Sequence, residues 1–137
     1  MNGREFLDTN VLLYAFDSKA PAKRPRAQDL LSKLTSRDAA AISIQVLQEF
    51  FANATKKMGM TPSEAKRLVE DFSRLPTHAP SPADVISAID LHLIHKISFW
   101  DALIIRSAQQ MKCETLWSED LSHGQRFGAV TIRNPFV

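Results

Sequence analysis

Cysteine is almost missing from this chain. Cys113 stands alone, so no disulfide can form within the chain, and the expected setting is a reducing cytoplasm. Long apolar runs are missing too. No window approaches eighteen consecutive apolar residues, which excludes a bilayer-spanning helix. No basic segment followed by a long apolar run opens the chain, so no secretory signal is expected. Excess charge of one sign is scarce: 17 Lys and Arg against 15 Asp and Glu leave a formal net charge of +2, too little to announce a polyanion partner. Internal repeats and low-complexity stretches are also lacking. What remains is 137 residues, 45% hydrophobic and 23% charged, the make-up of one globular domain over residues 1–137 with a core of its own.

The apolar pattern alternates between short runs and helical stripes. "EFL" predicts a first strand and "NVLLYAF" the helix after it. "PAKRPRAQDLLSKLTSR" places Ala27, Leu30, Leu31 and Leu34 at helical spacing, with Pro25 in the first turn. "AAAISI" predicts a buried strand, and "SIQVLQEFFANATKKMG" a helix with Val46, Leu47, Phe50, Phe51 and Ala54 inward and Gly59 as its stop. Thr61, Pro62 and Glu64 mark the start of another helix. "THAP" is a short strand candidate. Ser81 and Pro82 then open a helix expected to bury Val85, Ile86, Ile89 and Leu93. "SFWDALIIRSAQQM" predicts a further helix with Trp100, Leu103, Ile104, Ala108 and Met111 inward. "TLWS" and "AVTI" close the chain as strands. Strands alternating with helices predict right-handed βαβ units, hence an α/β fold: a three-layer α/β/α domain around a mostly parallel sheet.

Open parallel sheets collect their chemistry outside the C-terminal ends of the strands. Four acids fall there: Asp8 at the end of "EFL", Glu49 in the helix after "AAAISI", Asp101 opening the helix from Ser98, and Asp120 just past "TLWS". Each has an ordinary structural explanation. Asp8 is a good N-cap, with Thr9 and Asn10 beside it. Glu49, flanked one turn away by Gln45 and Asn53, looks like part of a solvated face. Asp101 follows Ser98 at capping-box spacing, and Asp120 suits a turn. Taken together, four converging carboxylates repel, by about 1 kcal/mol per pair at 4 Å even in bulk water. A divalent cation relieves that repulsion. An all-oxygen set without a Cys or His cage suits Mg²⁺ or Mn²⁺ rather than zinc, and such an ion activates water for attack at phosphorus.

Other groups carry simpler readings. Lys19, Lys23, Arg24 and Arg26 form one basic group, and Lys56, Lys57, Lys66 and Arg67 a second. They read as solvated surface in preference to phosphate contacts. Asp90, His92 and His95 could approach a metal from one helix face, but no third His or Cys has matching spacing. Glu119 is a spare ligand or solvated, and His123 an exposed loop residue. Tyr14, Phe16, Phe50 and Phe51 are assigned to the core, with some able to line an apolar groove.

"FLDTNVLLYA", "SIQVLQEFF", "SFWDALIIRSA" and "LWSEDLSHGQRFGAVTIRNPF" resemble, in this order and nearly end to end, the blocks of PIN-domain proteins. They are most similar to the VapC-type toxins of prokaryotic toxin–antitoxin pairs. The resemblance implies a PIN-like fold and a Mg²⁺- or Mn²⁺-dependent endoribonuclease, with Asp8, Glu49, Asp101 and Asp120 as catalytic metal ligands. It implies that Asn10 supports the first acid, that Thr9 braces the start of the helix, and that Ser118 orients the metal site. It also implies an RNA substrate, a cognate antitoxin that lays a helix or strand in an apolar groove, and a homodimer. The sequence departs from many relatives just past Asp120, where they carry a further acid and this chain continues Leu121, Ser122, His123 and Gly124. One metal, or a metal recruited with the substrate, follows.

Rival classes fit less well. A haloacid-dehalogenase-like phosphatase needs a second Asp where this chain has Asn10, and a receiver domain needs a phospho-acceptor Asp that "THAP" does not supply. The remaining alternative is a PIN-like module that binds RNA or protein without cutting. Such modules usually lack one or more of the acids.

Overall fold

The structure, a computed structural model, describes residues 3–137. Six strands form one sheet: β1 (Glu5–Leu7), β2 (Ala40–Ser43), β3 (Thr77–His78), β4 (Thr115–Trp117), β5 (Arg126–Phe127) and β6 (Val130–Arg133), in the order β3-β2-β1-β4-β6-β5. All neighbouring pairs are parallel except β5 with β6. The helices are α1 (Thr9–Tyr14), α2 (Lys23–Ser36), α3 (Ile44–Lys56), α4 (Pro62–Phe72), α5 (Pro82–His95) and α6 (Phe99–Gln110). Consecutive strand residues point to opposite faces. Because Phe6 and Leu7 are both fully buried, and all of β2 is buried, both faces of the sheet are covered and the domain has three layers. The expected α/β class is observed.

Local sequence explains the elements. Ser43, Thr61, Ser81 and Ser98 cap α3, α4, α5 and α6 through their hydroxyls, and Ser81 with Asp84 forms a complete capping box. Gly59, at φ 66°, turns the chain out of α3, and the Met60 N–H donates to the Ala54 carbonyl at 3.1 Å. Cys113 is buried, and burial pushes its thiol up to about 12, a structural cysteine rather than a reactive one.

Two sequence expectations fail on α5 and at the start of α6. Val85, Ile86, Ile89 and Leu93 lie on the exposed side of α5, with Ile86 62% and Leu93 66% exposed. The buried side carries Asp84 and Ala88, and Ala88 packs with Ala102 and Leu103 beside Leu91. Asp84 pins that side to α6: its Oδ1 accepts from Arg106 Nε at 3.0 Å, and His78 Nε2 lies 3.3 Å from its Oδ2. A buried polar network thus outweighs a stripe of isoleucines in setting the rotation of the helix. Trp100 is 61% exposed rather than inward, its ring edge-on to Phe99 at 5.0 Å. Met111 is only half-buried. Of the aromatics assigned to the core, Phe50 is fully buried, while Phe16 and Phe51 are exposed and Tyr14 is half-buried. Strand β5 was not expected at all.

Sheet order makes β1 and β4 central neighbours. The chain moves outward from β1 through β2 to β3, then returns to the other side of β1 with β4. The cleft between the C-terminal ends of β1 and β4 is therefore the switch point at which such sheets bind ligands.

Candidate metal centre

Asp8 leaves β1 into that cleft. Its carboxylate does two things. Oδ1 accepts the Thr9 N–H at 2.7 Å as the cap of α1, and Oδ2 accepts the Ser118 hydroxyl at 2.8 Å from the end of β4. Ser118 is fully buried, and its hydroxyl oxygen also accepts the Asp120 N–H at 3.2 Å. One serine thus fixes Asp8 and the backbone that carries Asp120. Asp101 sits in the first turn of α6, where the Ser98 hydroxyl accepts its N–H at 3.0 Å. Of the expected capping box only that half forms.

Carboxylate oxygens of Asp8, Asp101 and Asp120 all lie within 4.8 Å of one another. The three grade from buried Asp8 through half-buried Asp101 to exposed Asp120, so the cluster has a floor and an open rim. Glu49 stands beside the three rather than within them. Its Oε1 accepts the Thr9 hydroxyl at 2.6 Å and its Oε2 accepts Gln45 Nε2 at 3.1 Å. Among the described residues, no Lys, Arg or His forms an ion pair with any of the four.

The electrostatics follow from that isolation. Burial raises the Asp8 carboxyl to about 7; the Ser118 and Thr9 hydrogen bonds pull it down, while Asp120 and Asp101 push it further up. Asp101 is raised by burial, against its Ser98 hydrogen bond, with help from Glu49. Asp120 is raised by burial, then by Asp101, Glu119 and Glu49, against the Asn10 hydrogen bond. Three carboxylates held close with no paired cation among the described residues could hold a hard divalent cation, and an all-oxygen donor set of this kind suits Mg²⁺ or Mn²⁺.

The neighbouring side chains correct several expectations. Asn10 does not hold the first acid: its Nδ2 donates to Asp120 Oδ2 at 2.7 Å. Thr9 does brace the site, but through Glu49. The face expected to be solvated around Glu49 is largely covered. Gln45 is buried and donates from Nε2 to Glu49 and to the Trp100 carbonyl, tying α3 to the start of α6. Its position one turn before Glu49 was the signal for this role. Glu119 is not a spare ligand. Tyr14 donates its hydroxyl to Glu119 Oε1 at 2.5 Å and Lys23 pairs with Oε2 at 2.7 Å. His92 Nδ1 lies 2.5 Å from the Ile97 carbonyl, and His95 packs edge-on against Phe127. His123 accepts the Asn134 N–H.

Comparison with known proteins identifies the family and the fold. Residues 6–125 match the PIN domain family profile, whereas comparison with curated proteins gives no match. A toxin–antitoxin complex from Klebsiella pneumoniae is similar in structure, with a TM-score of 0.70 at 21% identity, covering 96% of this chain and 97% of that one. VapBC2 from Rickettsia felis, bound to a DNA fragment from its promoter, gives 0.69 at 23%, covering 95% and 97%. Mycobacterium tuberculosis VapC20, described as a sarcin–ricin loop cleaving toxin, gives 0.65 at 17%, covering 84% and 90%. At these identities the likenesses concern the fold. The profile, spanning nearly the whole sequence, goes further: this chain belongs to the PIN domain family.

Proposed function

We propose that this PIN domain protein is a metal-dependent endoribonuclease of VapC type, the toxin of a toxin–antitoxin pair, acting in the cytoplasm through residues 1–137 as one nuclease domain. One observation carries the reading: three carboxylates meet within 4.8 Å, and among the described residues no Lys, Arg or His pairs with them. In the proposal Asp8, Asp101 and Asp120 ligate Mg²⁺ or Mn²⁺ directly, and Glu49 is the fourth acid. When bound, the ion supplies a nucleophilic water at neutral pH and neutralises charge on the departing oxygen.

The residues of the chain do the rest. Ser118 and the Thr9 N–H hold the buried Asp8 at fixed orientation. Asn10 restrains the exposed Asp120. Glu49 is clamped by Thr9 and Gln45, and in the proposal it takes a proton from the water that attacks phosphorus, on a lone pair left free by those bonds. The open rim at Asp120 admits a backbone phosphate of single-stranded RNA.

A cognate antitoxin belongs to the same reading, because related structures contain toxin–antitoxin complexes. An apolar groove of about 430 Å³ lined by Phe16, Leu31, Phe72 and Leu75 is the surface suited to its helix or strand. A homodimer completes the set of partners, with the uncovered apolar side of α5 available for it.

The test is cleavage of single-stranded RNA by the purified protein in Mg²⁺ or Mn²⁺. Internal cuts that EDTA abolishes are expected. Full cutting in chelator overturns the metal mechanism, and RNA retention without cutting in either metal makes this a binding module.

A further inference from the structure

We propose that a cavity beside the acids seats one unpaired nucleobase of the RNA and so sets which nucleotide flanks the cut; this rests on the nuclease reading above. The cavity holds about 250 Å³ between α1 and α3. That is below the roughly 300–1,000 Å³ of pockets for drug-sized ligands, and suits a single flat ring system better than a peptide element.

Its position ties it to the acids. Asn10 lines the cavity and, through Nδ2, holds Asp120. On α3, Glu49 and Asn53 are four residues apart, and Lys57, the residue that caps the helix, follows four further on, so one face runs from beside the acid cluster into the cavity. At 1.5 Å per residue that path covers about 12 Å, within the span of a short single-stranded stretch.

Its chemistry fits a nucleotide. Leu13, Tyr14 and Met58 provide apolar and aromatic wall, against which an unstacked base can lie. Asn53 donates its Nδ2 to the Glu49 carbonyl at 2.9 Å. Its Oδ1 has no donor among the described residues, so it can accept from a base edge. Lys19 and Lys57 also line the cavity. They come from the two basic groups that lie far apart in sequence, and among the described residues neither is in an ion pair. Lys23 nearby is tied to Glu119. Two unpaired ammonium groups next to an acidic cluster can hold the phosphates on either side of the seated base.

The experiment compares the parent with Asn53→Ala and Met58→Trp, the first removing the edge contact and the second filling the cavity. Random-sequence single-stranded RNA is cut in Mn²⁺ and the cleavage sites are sequenced. In parallel, labelled rA4, rC4, rG4 and rU4 are titrated into each protein in Ca²⁺. The parent should prefer particular bases at one position flanking the cut. Each variant should flatten that preference and raise KM by at least about fivefold, the low end of what one base contact contributes. Variants that fold like the parent and keep its preference and KM overturn the proposal, and leave the cavity to a protein partner. A parent that never cuts, yet binds one tetranucleotide selectively until Met58→Trp abolishes the selectivity, overturns the nuclease reading and keeps the base pocket. A parent with no base preference in either arm overturns the pocket alone.

Discussion

Asp8 and Asp84 are equally hidden, 5% and 2% exposed, yet the chain treats their charges in opposite ways. Asp84 is answered from within. Its carboxylate accepts the Ser81 N–H, meets Arg106, and lies against His78. These contacts, led by the Ser81 hydrogen bond, hold its carboxyl below the usual range despite burial. Asp8 is offered only a hydroxyl and one N–H, with two more aspartates facing it. Burial alone therefore does not mark a functional acid. A buried acid without a paired cation is the candidate for a site that an external cation completes.

The comparison breaks most visibly on mutation. Asp8→Asn should leave the metal-free protein as stable as the parent or slightly more so, since one of three crowded charges is gone. The same change should remove RNA cleavage almost wholly, because the ligand charge is lost. Asp84→Asn should do the reverse. It strips a charge from a buried pair with Arg106, costing about 3 kcal/mol, while the folded fraction keeps cutting. Thermal melts alongside an RNA cleavage assay check both, and matching behaviour of the two variants would dissolve the distinction.

Dependence on pH sharpens it further. In the metal-free protein the Asp8 carboxyl stands at about 7, above its ordinary 3.8. The folded state therefore keeps a proton that the unfolded chain has lost, and this contribution to stability is present below 3.8 and lost as pH rises through about 7. Asp84, lowered in the fold, contributes stability above 3.8 that is lost as pH falls through its depressed value. Melts of the metal-free parent and of Asp8→Asn at pH 5 and 8 should differ in slope, with the parent losing more on going to pH 8. Mn²⁺ affinity should weaken by up to about tenfold per unit below pH 7, as the ion must displace that proton.

The smallest effect belongs to Glu119, an acid next to the cluster in sequence but balanced by Tyr14 and Lys23. Tyr14→Phe removes the hydroxyl that donates to Glu119 and accepts from Lys23 at 3.3 Å, costing about 1.5 kcal/mol, and should lower the melting temperature by about 5 °C. Cleavage should stay within about threefold of the parent. A loss as large as that of Asp8→Asn would place Glu119 in the metal site.

Much of this was legible in the residues. Strand and helix spacing point to the α/β class, and position near the strand ends singles out Asp8, Glu49, Asp101 and Asp120, of which the fold brings Asp8, Asp101 and Asp120 within 4.8 Å and leaves Glu49 beside them. What escaped was direction. The stripe Val85, Ile86, Ile89 and Leu93 has helical spacing, but Asp84 with its Arg106 and His78 contacts turns the opposite side of α5 inward. No periodicity rule weighs a long-range charge network. Gln45 looked polar and therefore solvated, whereas it is buried because it bridges Glu49 and the Trp100 carbonyl. Asn10 was placed with its sequence neighbour Asp8, and instead reaches across 110 residues to Asp120. Strand β5, two residues long, is too short to carry a pattern.

Among the described residues, the acids around Asp8 lack the cationic partner that Asp84 has in Arg106. Isothermal titration of Mn²⁺ into the metal-free parent and into Asp8→Asn at pH 7.5 tests most directly whether an external cation takes that place. The account predicts saturable binding of one ion per chain in the parent, with proton release, and loss of most of that affinity in Asp8→Asn while Asp84→Asn retains it in its folded fraction. Equal Mn²⁺ binding by the parent and Asp8→Asn, or none by the parent, would contradict it.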